Sequence, residues 1–190
     1  KDYPEIKVLS ENQYSGTTRD SSLDVSQRLL LSFRDQVNGV FVVAEPNGVG
    51  MLGALKGAQL DGMLCLTSCD KTVPGHLMAA ARLNVPTIVV PCGYQASGQF
   101  RGHHCDIEDV FVAAMHAVAG RVDVETVVGM SREAIRSPGV CSGMGTANSM
   151  HIVCEALGMA LPGSAPVLAM SEKMRADARA AGTRIVQMVW

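Results

Sequence analysis

The sequence has few aromatic residues, few charges and almost no imbalance between positive and negative charge. Aromatic side chains make up 4% of its 190 residues, and charged side chains make up 18%. Because 16 lysines and arginines against 18 aspartates and glutamates leave a formal net charge of −2, we expect no binding surface for nucleic acid or for an anionic membrane. An apolar content of 47% is typical of a folded globular core and excludes a disordered chain.

The sequence also lacks a long uncharged apolar run and an apolar signal core at residues 1–4. Without about 18 consecutive apolar residues, no membrane-spanning helix is expected, and we expect a cytoplasmic protein. The chain does not begin with methionine, which is consistent with a processed, trimmed or incomplete sequence. At about 150 residues per domain, the length corresponds to one domain, or to one domain and a fragment.

Six cysteines are present, and they indicate free thiols rather than a disulfide framework. A chain of this size and apolar content builds a core without disulfides, and nothing in the sequence indicates secretion. Reduced thiols leave some of the cysteines available as ligands of a metal or a cluster. The six are Cys65, Cys69, Cys92, Cys105, Cys141 and Cys154.

The alternation of apolar runs with helical segments predicts an α/β fold, a layered domain with a mostly parallel sheet flanked by helices. Buried strands are predicted at 39–44, 63–67 and 87–90. Helices are predicted at 21–36, 50–60, 74–84, 106–119, 123–136, 146–157 and 171–189. The strands at 63–67 and 87–90, with the helix between them, predict a βαβ unit whose strands are parallel.

A glycine-rich hexapeptide, which begins with Gly48 and ends with Gly53, matches the dinucleotide-binding pattern G-x-G-x-x-G. It follows a predicted strand and precedes a predicted helix, and Asp70 stands about 20 residues further on. However, a Pro-Asn pair separates the strand from Gly48, and a plain glycine-rich turn gives the same match in a chain with 19 glycines. A nucleotide-dependent oxidoreductase therefore stays open as an alternative function.

A thiol, a carboxylate and an amine stand together at Cys69, Asp70 and Lys71. They follow the strand at 63–67 and precede a helix, which is where ligands bind at the edge of a parallel sheet. The N-terminus of that helix favours a deprotonated Cys69. Thiolates suit iron or zinc, and carboxylates suit magnesium. The alternative interpretation is a loop with a solvated ion pair.

Cys141 repeats this arrangement, because it stands in the glycine-rich loop 137–145 directly before another helix. Two cysteines on loops that lead into helices can share one inorganic site. The wide separation of Cys69 and Cys141 in sequence means that the fold must assemble this site. We therefore predict that these two side chains approach each other in space.

The other cysteines and the histidines are predicted to be mainly structural. Cys65 falls within a strand and Cys154 within a helix, so both are expected in the core. Cys92 ends a strand near the same sheet edge, and its role stays open. His76 is a candidate to face the site. The tract His103-His104-Cys105 is interpreted as a polar loop before a helix rather than a metal site.

Two long segments resemble the signatures of one enzyme family. Residues 68–86, SCDKTVPGHLMAAARLNVP, resemble the first signature of the dihydroxy-acid and phosphogluconate dehydratases. Residues 141–150, CSGMGTANSM, followed by 155–164, EALGMALPGS, resemble the second conserved block. Both segments stand in the expected order. The resemblance covers a dehydratase-like domain at residues 57–190 and leaves an unplaced segment at 1–56.

This resemblance implies an iron–sulfur hydro-lyase that removes water from a 2,3-dihydroxy acid to give a 2-keto-3-deoxy acid. Cys69 and Cys141 correspond to cluster ligands, the cluster being 2Fe–2S or 4Fe–4S. Asp70 and Lys71 correspond to magnesium ligands, and Lys71, as a carbamate, is the catalytic candidate. The sequence of residues 144–147 is more similar to that of the sugar-acid enzymes of the family than to that of the branched-chain enzymes. We further expect a small hydroxy-acid substrate and a homo-oligomer.

The sequence departs from the family pattern in three respects. No cysteine precedes Cys65, although the first cluster ligand of the family lies well upstream. The upstream acidic magnesium ligand has only the Asn-Gly-Val at 47–49 as a match. The resemblance also implies a C-terminal domain that carries the catalytic serine base, and we expect this chain to lack it. We therefore expect that the 190-residue chain alone does not dehydrate a substrate appreciably, and a non-catalytic metal-binding domain stays open as a second alternative.

Overall fold

The computed structural model describes residues 9–10, 18–33, 36, 54 and 61–190. The predicted strand at 39–44, the glycine-rich hexapeptide and, apart from the helical Ala54, the predicted helix at 50–60 lie outside the described residues. The first described helix, α1 (Arg19–Ser32), begins two residues before the predicted start and ends four before the predicted end. Thr18 caps it by accepting a hydrogen bond from the Ser21 N–H.

Strand β1 (Met63–Thr67), helix α2 (Thr72–Leu83) and strand β2 (Thr87–Pro91) form the predicted βαβ unit. The two strands pair in parallel along their full length. All five residues of β2 are buried, as expected for an apolar run inside a parallel sheet. Asn84 ends α2 in the left-handed conformation, with φ of 53°, which turns the chain toward β2.

Isolated bridges extend the parallel arrangement beyond the two strands. Val89 of β2 forms a parallel bridge with Ala160, and Tyr94, just beyond β2, forms parallel bridges with Val140 and Leu168. With helices packed against this sheet, the molecule is an α/β layered domain, as predicted. The bridge at Val140 brings the segment that carries Cys141 beside the end of β2.

A short antiparallel hairpin was not predicted. Strands β3 (Gly98–Phe100) and β4 (His103–Cys105) are paired, so the interpretation of the histidine tract as a loop is wrong. Arg101 and Gly102 connect the strands, with φ of 50° and 82°. Two consecutive positive φ values give the twist that a two-residue hairpin needs, but arginine is not a residue that signals such a turn.

The remaining described helices begin at the predicted first residue or one residue after it. They are α3 (Ile107–Val118), α4 (Val124–Glu133), α5 (Thr146–Ala156) and α6 (Glu172–Val189). Asp106 caps α3 as predicted, in a reciprocal capping box with Asp109. Helix α4 ends three residues before its predicted end because Ile135 leaves the helix to form an antiparallel bridge with Ser97.

The main core lies where α2 and α5 pack against β1 and β2. Its buried members are Cys65, Val73, Val89, Cys154 and Ala160. Burial raises the pKa of Cys65 to about 12 and that of Cys154 to about 11, so both thiols stay protonated. Their predicted place in the core is confirmed. Among the described residues, no helix has the length and hydropathy needed to span a bilayer.

Candidate functional site

Cys69, Asp70 and Lys71 form the turn between β1 and α2. Thr72, the first residue of α2, closes this turn, because its N–H and its hydroxyl both donate to the Cys69 carbonyl, at 3.1 and 2.9 Å. The Cys69 thiol is exposed. The turn therefore presents its three functional side chains at the carboxyl end of β1.

Asp70 and Lys71 are paired with each other. The Lys71 ammonium donates to Asp70 Oδ2 over 2.5 Å, and the Lys71 side chain is 79% exposed. This hydrogen bond, together with the charge attraction, lowers the pKa of Asp70 and raises the pKa of Lys71. The two predicted magnesium ligands thus stand side by side in their ionised forms, and the Lys71 amine is protonated.

Backbone hydrogen bonds place Cys92 and Cys141 at the same sheet edge as Cys69. The Cys92 N–H donates to the Thr67 carbonyl over 2.9 Å, and the Val140 N–H donates over 2.9 Å to the carbonyl of the residue after Cys92. Burial raises the pKa of the Cys92 and Cys141 thiols, and the charge of Cys69 raises both further. The fold therefore brings the segments of Cys69 and Cys141 together, with Cys92 between them.

Gly139 allows the loop of Cys141 to approach β2 this closely. Its φ is 131°, and a Cβ at this position would lie 2.7 Å from the backbone nitrogen of Gln95 and 2.7 Å from the carbonyl carbon of Tyr94. Any residue with a side chain would be strained here and would push the loop away. Ser137 strengthens the contact, because its hydroxyl accepts a hydrogen bond from the Ala96 N–H over 2.8 Å.

Asn148, which the sequence analysis did not single out, shapes the backbone around Cys141. It is 2% exposed, and its Nδ2 donates to the carbonyls of Cys141 and Gly143 over 2.9 and 2.7 Å. These bonds hold the glycine-rich loop in one conformation. An asparagine in the first turn of a helix that follows such a loop was the available signal.

Glu108 is a second residue that the sequence analysis missed. It lies in the first turn of α3, and a Cβ on Gly143 would be 2.9 Å from its carboxyl carbon. Its Oε2 is buried and has no hydrogen-bond partner among the described residues. After burial, the Glu108 charge is the largest cause of the raised pKa of Cys141. An unpaired buried carboxylate oxygen near a thiol suits a site that takes up a cation or a proton donor.

The two histidines near the turn differ in role. His151 is 1% exposed, and its Nε2 donates to the Ser68 carbonyl over 3.0 Å, which ties α5 to the turn. The prediction that His151 is a satisfied packing residue is confirmed. His76 is half-buried, burial lowers its pKa, and its Nδ1 has no hydrogen-bond partner within the described part of the chain. That His76 faces the site stays a prediction.

The histidine tract contributes to a separate group of potential metal ligands. His104, Asp106 and Asp109 have ligand atoms within 4.8 Å of one another. The two carboxylates already accept the backbone N–H groups of the α3 capping box, which accounts for their positions. Cys105 is 1% exposed and belongs to a core cluster, so it does not join this group.

Comparison with known proteins now identifies the family. A family model described as the dihydroxy-acid/6-phosphogluconate dehydratase N-terminal region matches residues 51–190. The chain belongs to this dehydratase family. It is 45% identical over 130 residues to the dihydroxy-acid dehydratase of Methanothermobacter thermautotrophicus, an alignment that covers 68% of this chain and 24% of that protein.

The alignment with a second dehydratase covers a similar share of both chains. The dihydroxy-acid dehydratase of Sulfurimonas denitrificans is 43% identical over 131 residues, which cover 68% of this chain and 23% of that protein. The chain therefore spans about a quarter of the length of the relatives that it matches. The predicted family is confirmed, and the match begins six residues before the predicted start at residue 57.

Chemically, the dehydratase-family site offers two kinds of ligand at one sheet edge. Soft thiols come from Cys69, Cys92 and Cys141, and hard oxygen ligands come from Asp70 and Glu108. Thiols are ligands that iron prefers, and carboxylates are ligands that divalent cations such as magnesium prefer. The family match gives no support to the nucleotide-dependent alternative, whose hexapeptide lies outside the described residues.

Proposed function

We propose that this chain is the cluster-binding and magnesium-binding part of a hydro-lyase that removes water from a 2,3-dihydroxy acid. The observation that supports this best is the convergence of the Cys69 and Cys141 segments beside the Asp70–Lys71 pair, in a chain that belongs to the dehydratase family. The product of the reaction is a 2-keto-3-deoxy acid.

The residues at the sheet edge fit the two inorganic groups that the family implies. Cys69 and Cys141 would hold an iron–sulfur cluster, and Asp70 and Lys71 would hold magnesium. When bound, the cluster would supply a Lewis-acidic iron for the departing hydroxyl, and magnesium would supply positive charge for the substrate carboxylate. The unpaired Glu108 Oε2 near Cys141 supports a cation-binding site here.

Lys71 changes its charge in this proposal. Its ammonium group first gives one proton to solvent, and the neutral amine nitrogen then bonds to the carbon of carbon dioxide and releases a second proton. The resulting carbamate carries the anionic oxygen that magnesium prefers. The ion pair with Asp70 opposes this, because it keeps the amine protonated. A divalent cation that takes the Asp70 carboxylate frees the amine for this reaction.

Three further residues hold the proposed cysteine ligands in position. Thr72 fixes the Cys69 carbonyl, Asn148 fixes the Cys141 carbonyl, and His151 joins the two ligand-bearing regions through Ser68. Such support by hydrogen bonds lets the site keep its geometry before its ligands arrive.

We propose a sugar acid as the substrate, since residues 144–147, Met-Gly-Thr-Ala, resemble the sugar-acid enzymes of the family. The M. thermautotrophicus and S. denitrificans relatives are named dihydroxy-acid dehydratases. A keto-acid assay of the full-length enzyme with aldonic acids and with branched 2,3-dihydroxy acids separates the two classes. Faster turnover of the branched acids would contradict the sugar-acid assignment but not the dehydration.

Replacement of Lys71 by arginine tests the reaction itself. Lys71→Arg keeps the positive charge and the pairing with Asp70, but a guanidinium does not form a carbamate. We expect the keto-acid rate of the full-length enzyme to fall by more than about 100-fold, beyond the range typical of outer-shell changes. Lys173→Arg is the matched control, because Lys173 is also paired with an aspartate, Asp177, on the exposed face of α6. A Lys71→Arg enzyme with the wild-type rate would exclude the magnesium role.

A further inference from the structure

Cys92 lies between the two backbone segments that lead to Cys69 and Cys141. Its N–H donates to the carbonyl of Thr67, two residues before Cys69. On its other side, the carbonyl of the next residue accepts from the N–H of Val140, directly before Cys141. Hydrogen-bonded neighbouring backbones lie about 4.8 Å apart, so the three cysteines belong to three adjacent segments at one sheet edge.

Both neighbouring segments contribute to the surroundings of the Cys92 thiol. Burial raises the pKa of this thiol, the charge of Cys69 raises it further, and the Val140 N–H lowers it. The backbone hydrogen bonds of Cys92 and Gly93 independently place this residue beside the segments that lead to Cys69 and Cys141. The Cys92 side chain is half-buried, and its thiol donates to the Gly93 carbonyl over 3.5 Å, so it is neither enclosed in the core nor fully in water.

The backbone beside Cys92 is fixed. Gly93 has φ of 80°, and a Cβ there would lie 2.7 Å from both the nitrogen and the Cα of Ala169. Pro91 before Cys92 is buried as the last residue of β2, and its ring restricts the backbone on that side. The backbone that carries the Cys92 thiol is therefore held in place before any ligand binds.

The other three thiols do not reach this edge. All six cysteines fall within the described residues, and three of them are at most 4% exposed and packed in core clusters: Cys65, Cys105 and Cys154. Only Cys69, Cys92 and Cys141 are open to solvent, in full or in part. The set of thiols that can bind an inorganic group therefore includes Cys92.

We infer that Cys92 is a third protein ligand of the iron–sulfur cluster, together with Cys69 and Cys141. This inference rests on the proposed function, because it requires a cluster at this edge. Clusters are typically held by four protein ligands, most often cysteines, so two thiolates alone hold one incompletely. On binding, the Cys92 S–H bond is broken, its proton goes to solvent, and a sulfur–iron bond forms with iron that is supplied together with sulfide.

The test is anaerobic reconstitution of the full chain with ferrous iron and sulfide. Iron and sulfide per chain, the visible and electron paramagnetic resonance spectra, and the alkylation of each cysteine by iodoacetamide, read by mass spectrometry, are measured before and after reconstitution. We expect Cys92, Cys69 and Cys141 to become protected together when the cluster forms. This readout uses the unaltered chain, so it does not depend on the folding of a variant.

Two substitutions give the matched comparison. Cys92→Ala is expected to lose the cluster to a chelator at least about tenfold faster than the unaltered chain, as for other losses of metal-site support. Cys92→Ser, with an oxygen ligand, is expected to alter the spectrum. Cys105→Ala removes a buried thiol from a separate core cluster and is expected to leave both the lifetime and the spectrum unchanged.

The possible results separate the inference from the proposed function. A chain that binds the cluster while Cys92 stays as reactive as in the apo form overturns the inference and leaves the proposed function standing. The same holds for a Cys92→Ala chain with the unaltered spectrum and lifetime. A chain that takes up no iron and sulfide overturns the proposed function, and the inference falls with it.

Discussion

Glu155 joins the last turn of α5 to the chain that follows it, and replacing it by glutamine tests how much this junction stabilises the domain. Its Oε1 accepts from the Gly163 N–H over 2.6 Å, and its Oε2 accepts from the Ala165 N–H over 3.0 Å. These two hydrogen bonds, with a smaller contribution from the charge of Lys173, hold the pKa of Glu155 below its ordinary value.

The expected loss follows from the two hydrogen bonds. A hydrogen bond to a charged group contributes about 1.5–3 kcal/mol. Glu155→Gln keeps one carbonyl oxygen but turns an NH₂ group toward the second backbone N–H, so one bond is lost and a donor faces a donor. Because Glu155 is partly exposed, water offsets some of this cost, and we expect the free energy of unfolding to fall by about 1.5–3 kcal/mol.

Urea denaturation of the chain at a series of pH values measures this difference. Because the folded state lowers the pKa of Glu155 below the ordinary value of 4.5, the unfolded state binds more protons as the pH falls. The stabilisation is therefore complete above about pH 4.5 and is lost as the pH falls through the folded pKa. The difference between Glu155→Gln and the unaltered chain should accordingly shrink in acid.

Glu172→Gln is the matched control, because the Glu172 side chain is 87% exposed and lies 3.6 Å from Arg175 across a surface ion pair. It is expected to change the free energy of unfolding by less than about 0.5 kcal/mol. The reasoning is refuted if Glu155→Gln is as stable as this control near neutral pH. It is also refuted if the difference between Glu155→Gln and the unaltered chain stays constant down to acid pH.

Two further substitutions probe the elements around the site. Asp106→Ala removes the cap of α3 and should lower the free energy of unfolding by about 1–2 kcal/mol, whereas Asp106→Asn should be nearly as stable as the unaltered chain. An alanine variant as stable in urea as the unaltered chain would contradict the role of Asp106 as a cap. Gly139→Ala places a Cβ 2.7 Å from the Gln95 backbone nitrogen at φ of 131° and should lower the thermal midpoint. At Gly182, in α6, a Cβ would meet no atom within 4 Å, so Gly182→Ala should instead stabilise the helix by about 0.5–1 kcal/mol. Equal thermal midpoints for the two glycine variants would contradict the backbone strain expected of Gly139→Ala.

Local patterns were sufficient to predict the βαβ unit and the start of α3. The apolar run at β1 is bounded by polar residues on both sides, so its limits at Met63–Thr67 could be predicted without knowing its partners. Asp106 stands directly before a periodic segment and is followed three residues later by another carboxylate, which is a local capping signal. Both features depend on neighbours in sequence, and both are confirmed.

Features that depend on distant contacts could not be predicted in this way. The early end of α4 follows from the bridge between Ile135 and Ser97, which no periodicity within the helix indicates. At the site, the loop patterns indicated where Cys69 and Cys141 would be presented. Glu108 gave no such signal, because its position beside Gly143 arises only when α3 packs against the glycine-rich loop.

The exposure of the Asp70–Lys71 pair has a consequence for how the edge of the sheet is entered. Because the Lys71 side chain is largely in water, the pair is screened by solvent and weakens further as ionic strength rises. The Lys71 ammonium therefore pairs reversibly with the Asp70 carboxylate. It balances the carboxylate charge, and it can move into solvent without any change in the core. Under the proposed function, a divalent cation that entered here would meet a carboxylate whose pKa is already lowered, so the carboxylate would be ionised when the cation arrived.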